Sequence, residues 1–243
     1  MASCELTHLA RVPIDLDRAR AQHRDYEQAL ADAGCRVERL PAGPDMPDAV
    51  FVEDIAVVFD ELAIITRPGA ESRRVEVPAI AAALEPHRTL SFIEPPGTLD
   101  GGDVLVAGRR VYVGVSSRTN RQAIAMMHRA LAPHRYTVCA VEVHGCLHLK
   151  SAVTSVADDT LLVNPRWIAR DALGGFDLVE IDPSEPAAAN SMRVGETVIF
   201  PSAFPRTAER LAKRGVTLRL VDASEVAKAE GAVTCCSLVF NDD

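Results

Sequence analysis

Apolar and polar positions recur along this chain in blocks that share one order. From residue 50, VFVEDIAVVFDELAIITRP gives two β-rich runs around a tight Asp60-Glu61 turn; helical spacing follows over 75–84, then a strand at 88–93. A second block opens at Asp103 with DVLVAGRRVYVGV, a hairpin turning at Gly108, and continues into a helix over 119–131 and a strand over 136–143. The third opens at Leu149 with LKSAVTSVADDTLLVN, turns at Asp158-Asp159 and closes with FDLVEID. The fourth opens near Asn190, turns at Gly195, carries a helix over 206–214 and closes with VTLRLVD. Starts near 50, 103, 149 and 190 lie 53, 46 and 41 residues apart, and Cys235 falls 45 residues after the last.

Only TCCSLVF remains for a fifth block, and the missing parts stand at the other end: a short strand at 4–7, a helix over 16–33 and the strand CRVERL. The pattern therefore predicts an α/β fold built as a single domain over 1–243. Its five strand–strand–helix–strand units form a pseudo-five-fold, propeller-like ring, closed by N- and C-terminal segments that share one blade. An open α/β sheet is the alternative. A closed ring leaves no obligatory partner edge, so a monomer or a homodimer is expected.

Composition narrows the partners. Hydrophobic residues at 48% and charged residues at 25% place the chain among ordinary globular proteins. No apolar run reaches the roughly 18 residues of a membrane helix, and the start, MASCELTHLARV, lacks the basic-then-apolar order of an export signal. The net charge of −8, with no basic block, argues against nucleic acid and for a cationic ligand. The cysteines at 4, 35, 139, 146, 235 and 236 are irregularly spaced. With no export signal they read as reduced thiols in a cytoplasmic protein.

Three places break the local pattern. In FVEDIAVV the adjacent carboxylates Glu53 and Asp54 interrupt an apolar strand, whose successive side chains face opposite sides. Burying such groups is costly without a positive partner, which a cationic ligand would supply. In LDGGDV two aspartates flank a Gly-Gly turn at a strand entrance. In TCCSLVF, strand alternation lets only one of Cys235 and Cys236 face a shared centre. Such cysteines are buried structural thiols or, given a nearby base or cation, a nucleophile. HGCLHLK supplies His144, Cys146 and His148 at spacings that suit either zinc or one catalytic histidine. Gly145 breaks a regular strand there, and no second ligand pair stands elsewhere, which favours the histidine.

Taken in order, PDAVFVEDIAVV, ITRPGAESRR, LDGGDVLVAGRRVYVGVSSRTN, GCLHLKS and TCCSLVF resemble the dimethylarginine dimethylaminohydrolase family of the guanidino-modifying, or pentein, superfamily. The likeness runs from about residue 16 to 240. It implies a five-bladed ββαβ propeller and hydrolysis of Nω-methylated arginine to citrulline and a methylamine. Cys235 would be the nucleophile, His148 the acid and base, and Asp100 the residue completing the catalytic group. Glu53 and Asp54 would form the acidic pair for the guanidinium, and Asp48, Arg73 and Arg118 would hold the amino-acid end. Ser151 matches a pocket position of open role. The chemistry agrees: a carboxylate matches a planar guanidinium, two arginines suit an α-carboxylate, and no metal or organic cofactor is required. Residues 9–17 are shorter than the mobile lid of the mammalian enzymes, with Leu9 in place of its contact, and Glu230 stands where those enzymes carry an aspartate. Deimination of free arginine or another substituted guanidine is the nearest alternative, and a non-catalytic binding propeller a remote one.

Overall fold

Hairpins form where the alternation places them. A computed structural model describes residues 1, 3–43 and 45–242. Among them are four three-stranded sheets, each an antiparallel hairpin extended by a parallel third strand. In the first, β1 (Ala56–Val58) pairs with β2 (Leu62–Ile65) with Ala56 opposite Ile65, and β3 (Thr89–Phe92) joins β2 in parallel. The second holds β4 (Val104–Ala107), β5 (Arg110–Val115) and β6 (Thr137–Glu142). The third holds β7 (Val153–Ser155), β8 (Thr160–Val163) and β9 (Asp177–Glu180), and the fourth β10 (Met192–Val194), β11 (Thr197–Pro201) and β12 (Thr217–Val221). The middle strands are the most apolar, and β2 is buried along its whole length, as a strand covered on both faces requires.

Parallel pairing needs a crossover, and in three units a helix provides it. Helix α2 (Val77–Leu84) follows β2, α3 (Arg121–Leu131) follows β5 and α5 (Pro205–Lys213) follows β11. Each turns an apolar stripe inward, such as Ala123, Ile124, Met127 and Leu131 of α3. The N-terminal helix α1 (Leu16–Asp32) starts at Asp15, whose carboxylate accepts from the amides of Asp17 at 3.1 Å and Arg18 at 3.0 Å. Its residues Tyr26, Ala29 and Leu30 pack with Ile199, Val221 and Val233 against the fourth sheet.

The structure corrects the expected strands at the two ends. No ladder forms at 4–7, in CRVERL or in TCCSLVF. Side-chain bonds hold these segments instead. Arg39 forks onto Glu27 of α1, with Nε 2.7 Å from Oε1, and Arg36 reaches Asp242 at 3.1 Å. Leu238 and Phe240 pack on the apolar cluster of the first sheet.

Glu53 and Asp54 are not in a strand either. They lie in a 3-10 turn, Val52–Ile55, that precedes β1. The same device recurs before the other hairpins: Gly101–Asp103 before β4, the short helix α4 (Leu149–Ala152) before β7, and the bend at 186–189 before β10. Cys235 lies in a further such turn, Thr234–Cys236. A turn of this kind steps side chains by about 120°, so adjacent polar residues leave it in different directions.

Candidate active site

These turns meet. The turn holding Glu53 touches both the Gly101–Asp103 turn and the Thr234–Cys236 turn, and α4 touches Gly101–Asp103. Their meeting point is lined by Asp48, Asp54, Asp100, Arg118, His148 and Cys235, with Glu5 and Glu230 over them. The close approach explains the paired glycines of LDGGDV. A Cβ on Gly102 would stand 2.6 Å from His148 Nδ1 and 2.8 Å from Asp54 Oδ1, and one on Gly101 would strike the Glu53 carbonyl.

His148 sits between two buried acids. Its Nε2 is 3.1 Å from Asp100 Oδ2 and its Nδ1 is 3.8 Å from Asp54 Oδ1. Burial opposes its charge, yet Asp54, the hydrogen bond to Asp100 and the nearby Asp103 together hold its pKa up at about 9. Imidazolium is therefore its form at neutral pH. Asp54 is buried too, but His148, Arg73 at 2.5 Å and the Gly102 amide at 3.0 Å keep its carboxyl below the ordinary range. Asp100 is fixed by the Gly69 amide at 2.8 Å, while its own amide donates to Thr119 Oγ1. Asp103 accepts from Ser116 and from the Leu149 amide, which anchors α4 just beyond His148.

Cys235 faces this cluster and Cys236 does not. The Cys236 thiol points to the Ala232 carbonyl at 3.6 Å and packs beside α1. Burial, then the charges of Glu53 and Asp54, push the Cys235 thiol well above its ordinary pKa. Without a ligand the site thus pairs a neutral thiol with a protonated imidazole.

Residues 5–9 close the site from above. One carboxylate, that of Glu230, accepts from the Thr7 amide at 2.9 Å and from the next two, His8 and Leu9. Glu230 adopts φ of 59°, a left-handed conformation unusual for a residue with a side chain. Glu5 donates its amide to both oxygens of Asp48, and Arg118 reaches Thr7 Oγ1 at 2.9 Å. The enclosed space is about 30 Å³, room for a water or two.

The other expected site residues divide. Arg118 stands at the cavity with one nitrogen 3.9 Å from Asp100. Arg73 also borders it, but its guanidinium is spent on a buried fork to Glu76, at 3.1 and 2.8 Å, and on Asp54 and the Phe51 carbonyl. Glu53 and Ser151 are not on the wall. Glu53 turns to Lys150, 2.6 Å away, and to Thr234, at 2.8 Å. His144 is exposed and far from the role of a paired ligand with buried His148. The group that one ion could span is Asp54, Asp100 and His148, whose ligand atoms lie within 4.8 Å; Arg73 already takes one oxygen of Asp54.

Sequence reasoning passed over Glu76, Lys150, Asn190, Thr234 and the capping role of Glu230. A signal was present: each repeat opens with polar residues just ahead of its first apolar strand, at Glu53-Asp54, Asp100–Asp103, Lys150-Ser151, Asn190 and Thr234-Cys235.

Comparison with known proteins agrees with this geometry. The family model "N,N dimethylarginine dimethylhydrolase, eukaryotic" matches residues 10–174. The N(G),N(G)-dimethylarginine dimethylaminohydrolase of Streptomyces coelicolor is 39% identical over 96% of this chain and 90% of its own length. That of Pseudomonas aeruginosa is 37% identical over 93% of this chain and 90% of its own. The solved structure of the Pseudomonas aeruginosa enzyme, a cysteine-to-serine variant complexed with citrulline, superposes with a TM-score of 0.92 at 35% identity, covering 97% of this chain and 93% of that one. The fold is accordingly an α/β pentein fold. A match this long, on a chain whose repeats converge on one cysteine, one histidine and two acids, makes this protein a member of the dimethylarginine dimethylaminohydrolase family.

Proposed function

We propose that this chain hydrolyses Nω-methylated arginine to citrulline and a methylamine, with Cys235 as nucleophile. The observation that carries the reading is His148, held between the buried Asp54 and Asp100, in one cavity with the Cys235 thiol. A guanidinium entering against Asp54 and Asp100 brings its positive charge to Cys235 and offsets the burial and the charges of Glu53 and Asp54 that keep the thiol protonated. The Cys235 thiol releases its proton to solvent, and the thiolate attacks the guanidino carbon. His148 gives its proton to the departing methylamine nitrogen, leaving a thiouronium on Cys235. The neutral imidazole now takes a proton from water, whose oxygen adds to the same carbon; the Cys235–carbon bond breaks and citrulline leaves. Arg118 and Asp48 receive the amino-acid end of the substrate, as charged groups on the cavity wall. Residues 5–9, tied down by Glu230 beside the cavity, lift for entry and close behind the substrate. That the solved relative holds citrulline supports the product.

The same reading completes the architecture. One domain spans the chain, and α1 with the terminal segments serves as a fifth blade. They link the fourth sheet, through Tyr26, Leu30 and Val221, to the first, through Leu238 and Phe240. No helix is long and apolar enough to cross a membrane among the described residues, and six unpaired cysteines fit a cytoplasmic setting.

The test is citrulline release from dimethylarginine, monomethylarginine and arginine, measured in parallel. The methylated substrates should give the higher kcat/KM, and Cys235→Ser should lose turnover by at least about 10³-fold with an unchanged melting temperature. A far higher kcat/KM for arginine would overturn the substrate; activity surviving in Cys235→Ser and lost in Cys236→Ser would overturn the nucleophile.

A further inference from the structure

Four polar side chains behind the nucleophile form a closed hydrogen-bonded circuit. Lys150 Nζ meets Glu53 Oε1 at 2.6 Å, and Glu53 Oε2 accepts from the Thr234 hydroxyl at 2.8 Å. Thr234 Oγ1 accepts from Asn190 Nδ2 at 2.9 Å, and the same amide nitrogen donates to the Lys150 carbonyl at 3.0 Å. Asn190 Oδ1 takes the backbone amide of Thr234 at 3.1 Å. The chemistry leaves one direction round the circuit. A threonine hydroxyl has a single hydrogen, spent on the carboxylate, so the asparagine must present its NH2 to Thr234 Oγ1 and its oxygen to the amide.

Three members are buried: Glu53 at 5% exposure, Asn190 at 3% and Thr234 at 4%. With Lys150, the four come from four different repeats, and none of them lines the cavity. Buried polar groups without a role are a liability, yet every one here is satisfied. Their common object is the turn of Thr234–Cys236, whose first amide and first side chain they clamp. The far flank of that turn is pinned separately, since Ser237 Oγ lies 2.7 Å from the hydroxyl of Tyr26 on α1.

We infer that Lys150, Glu53, Asn190 and Thr234 are positioning residues that aim Cys235 at the guanidino carbon, and that Glu53 serves this circuit instead of contacting the substrate. The inference rests on the reading of Cys235 as nucleophile. A thiol that ionises only as substrate arrives has one chance to meet its carbon in line, and a misplacement near 1 Å costs on the order of 10²-fold in rate. Since the circuit touches no part of the ligand space, its loss falls on kcat and spares KM.

The test compares Thr234→Val, which keeps shape and removes the hydroxyl, with Thr234→Ser, which restores it. Each enzyme is assayed for kcat and KM with dimethylarginine. Each is also inactivated by 2-chloroacetamidine, an amidinium electrophile that must dock to reach Cys235, and by neutral iodoacetamide. Thr234→Val should lose roughly 100-fold in kcat with KM held within about threefold. Its chloroacetamidine rate should fall at least about tenfold, while iodoacetamide changes little. Thr234→Ser should recover both. Wild-type kcat and chloroacetamidine rate in Thr234→Val would overturn the inference, as would failure of Thr234→Ser to rescue. If Thr234→Val does not fold, Asn190→Ala carries the same expectation and the same overturning result. A wild-type enzyme that ignores dimethylarginine but reacts with chloroacetamidine would sink the substrate reading alone, because the inactivation rates test the circuit without turnover.

Discussion

His148 is the residue whose surroundings say most about pH. Against its burial, Asp54, Asp100 and Asp103 raise its pKa to about 9 from an ordinary value of 6.5, and the acid step needs it protonated. The rate kcat/KM should therefore fall as pH rises through about 9. In Asp100→Asn, which removes one of the groups holding the proton, the fall should come at lower pH; a pH–rate profile with an unmoved alkaline limb would contradict this. Stability follows the same sign. A raised folded pKa stabilises fully below about 6.5 and is lost as pH climbs from there through about 9, a change of up to roughly 3 kcal/mol. The choice between Cys235 and Cys236 was half legible: alternation correctly allows one thiol at the centre, but it is the 3-10 turn, not a strand, that separates them. The environment of Arg73 was illegible. One of its two acids, Glu76, looks like an ordinary helix-start residue until the turn over Glu71–Glu76 folds it back onto the guanidinium.

Among the elements, the hairpins and long helices could be read because their apolar positions repeat at a fixed step over many residues. The short turns that carry the chemistry could not. Three or four residues show no period, and charged residues inside an apolar run look like strand interruptions. The terminal segments misled in the opposite way. CRVERL alternates like a strand, but Arg36 and Arg39 are drawn to Asp242 and Glu27 and no ladder forms. The segment over the cavity depends on one carboxylate facing three successive amides, a concave anion site. Glu230→Gln keeps the size but replaces one of two acceptor oxygens with a donor. We expect faster amide hydrogen exchange at residues 7–9, and KM raised by roughly five- to tenfold at similar kcat. Unchanged exchange at Thr7–Leu9 in that variant would show that Glu230 does not hold the segment.

For the whole molecule, the spacing of repeats carried the four sheets, each a hairpin with a parallel third strand, opening near 50, 103, 149 and 190. What spacing could not convey is that the terminal segments form no ladder and are attached by packing and by side-chain bonds such as Arg18 to Asp222 and Tyr26 to Ser237. Leu30, 4% exposed on α1, is central to that attachment. Leu30→Ala should cost about 2–4 kcal/mol, lower the melting temperature in a single transition, and slow turnover through the pinned Cys235 turn. Two separate transitions would speak against one cooperative domain. The convergence of turns also bears on how the chain can be divided. A cut at the exposed Asp158–Asp159 bend leaves Asp54, Asp100 and His148 on one fragment and Asn190, Thr234 and Cys235 on the other. The first piece keeps two whole sheets and the second keeps one, the third sheet being cut between β7 and β8, and neither keeps a nucleophile beside its acid. Citrulline formation by the pair is thus a readout of their reunion, and the enzyme is a natural substrate for a split reporter.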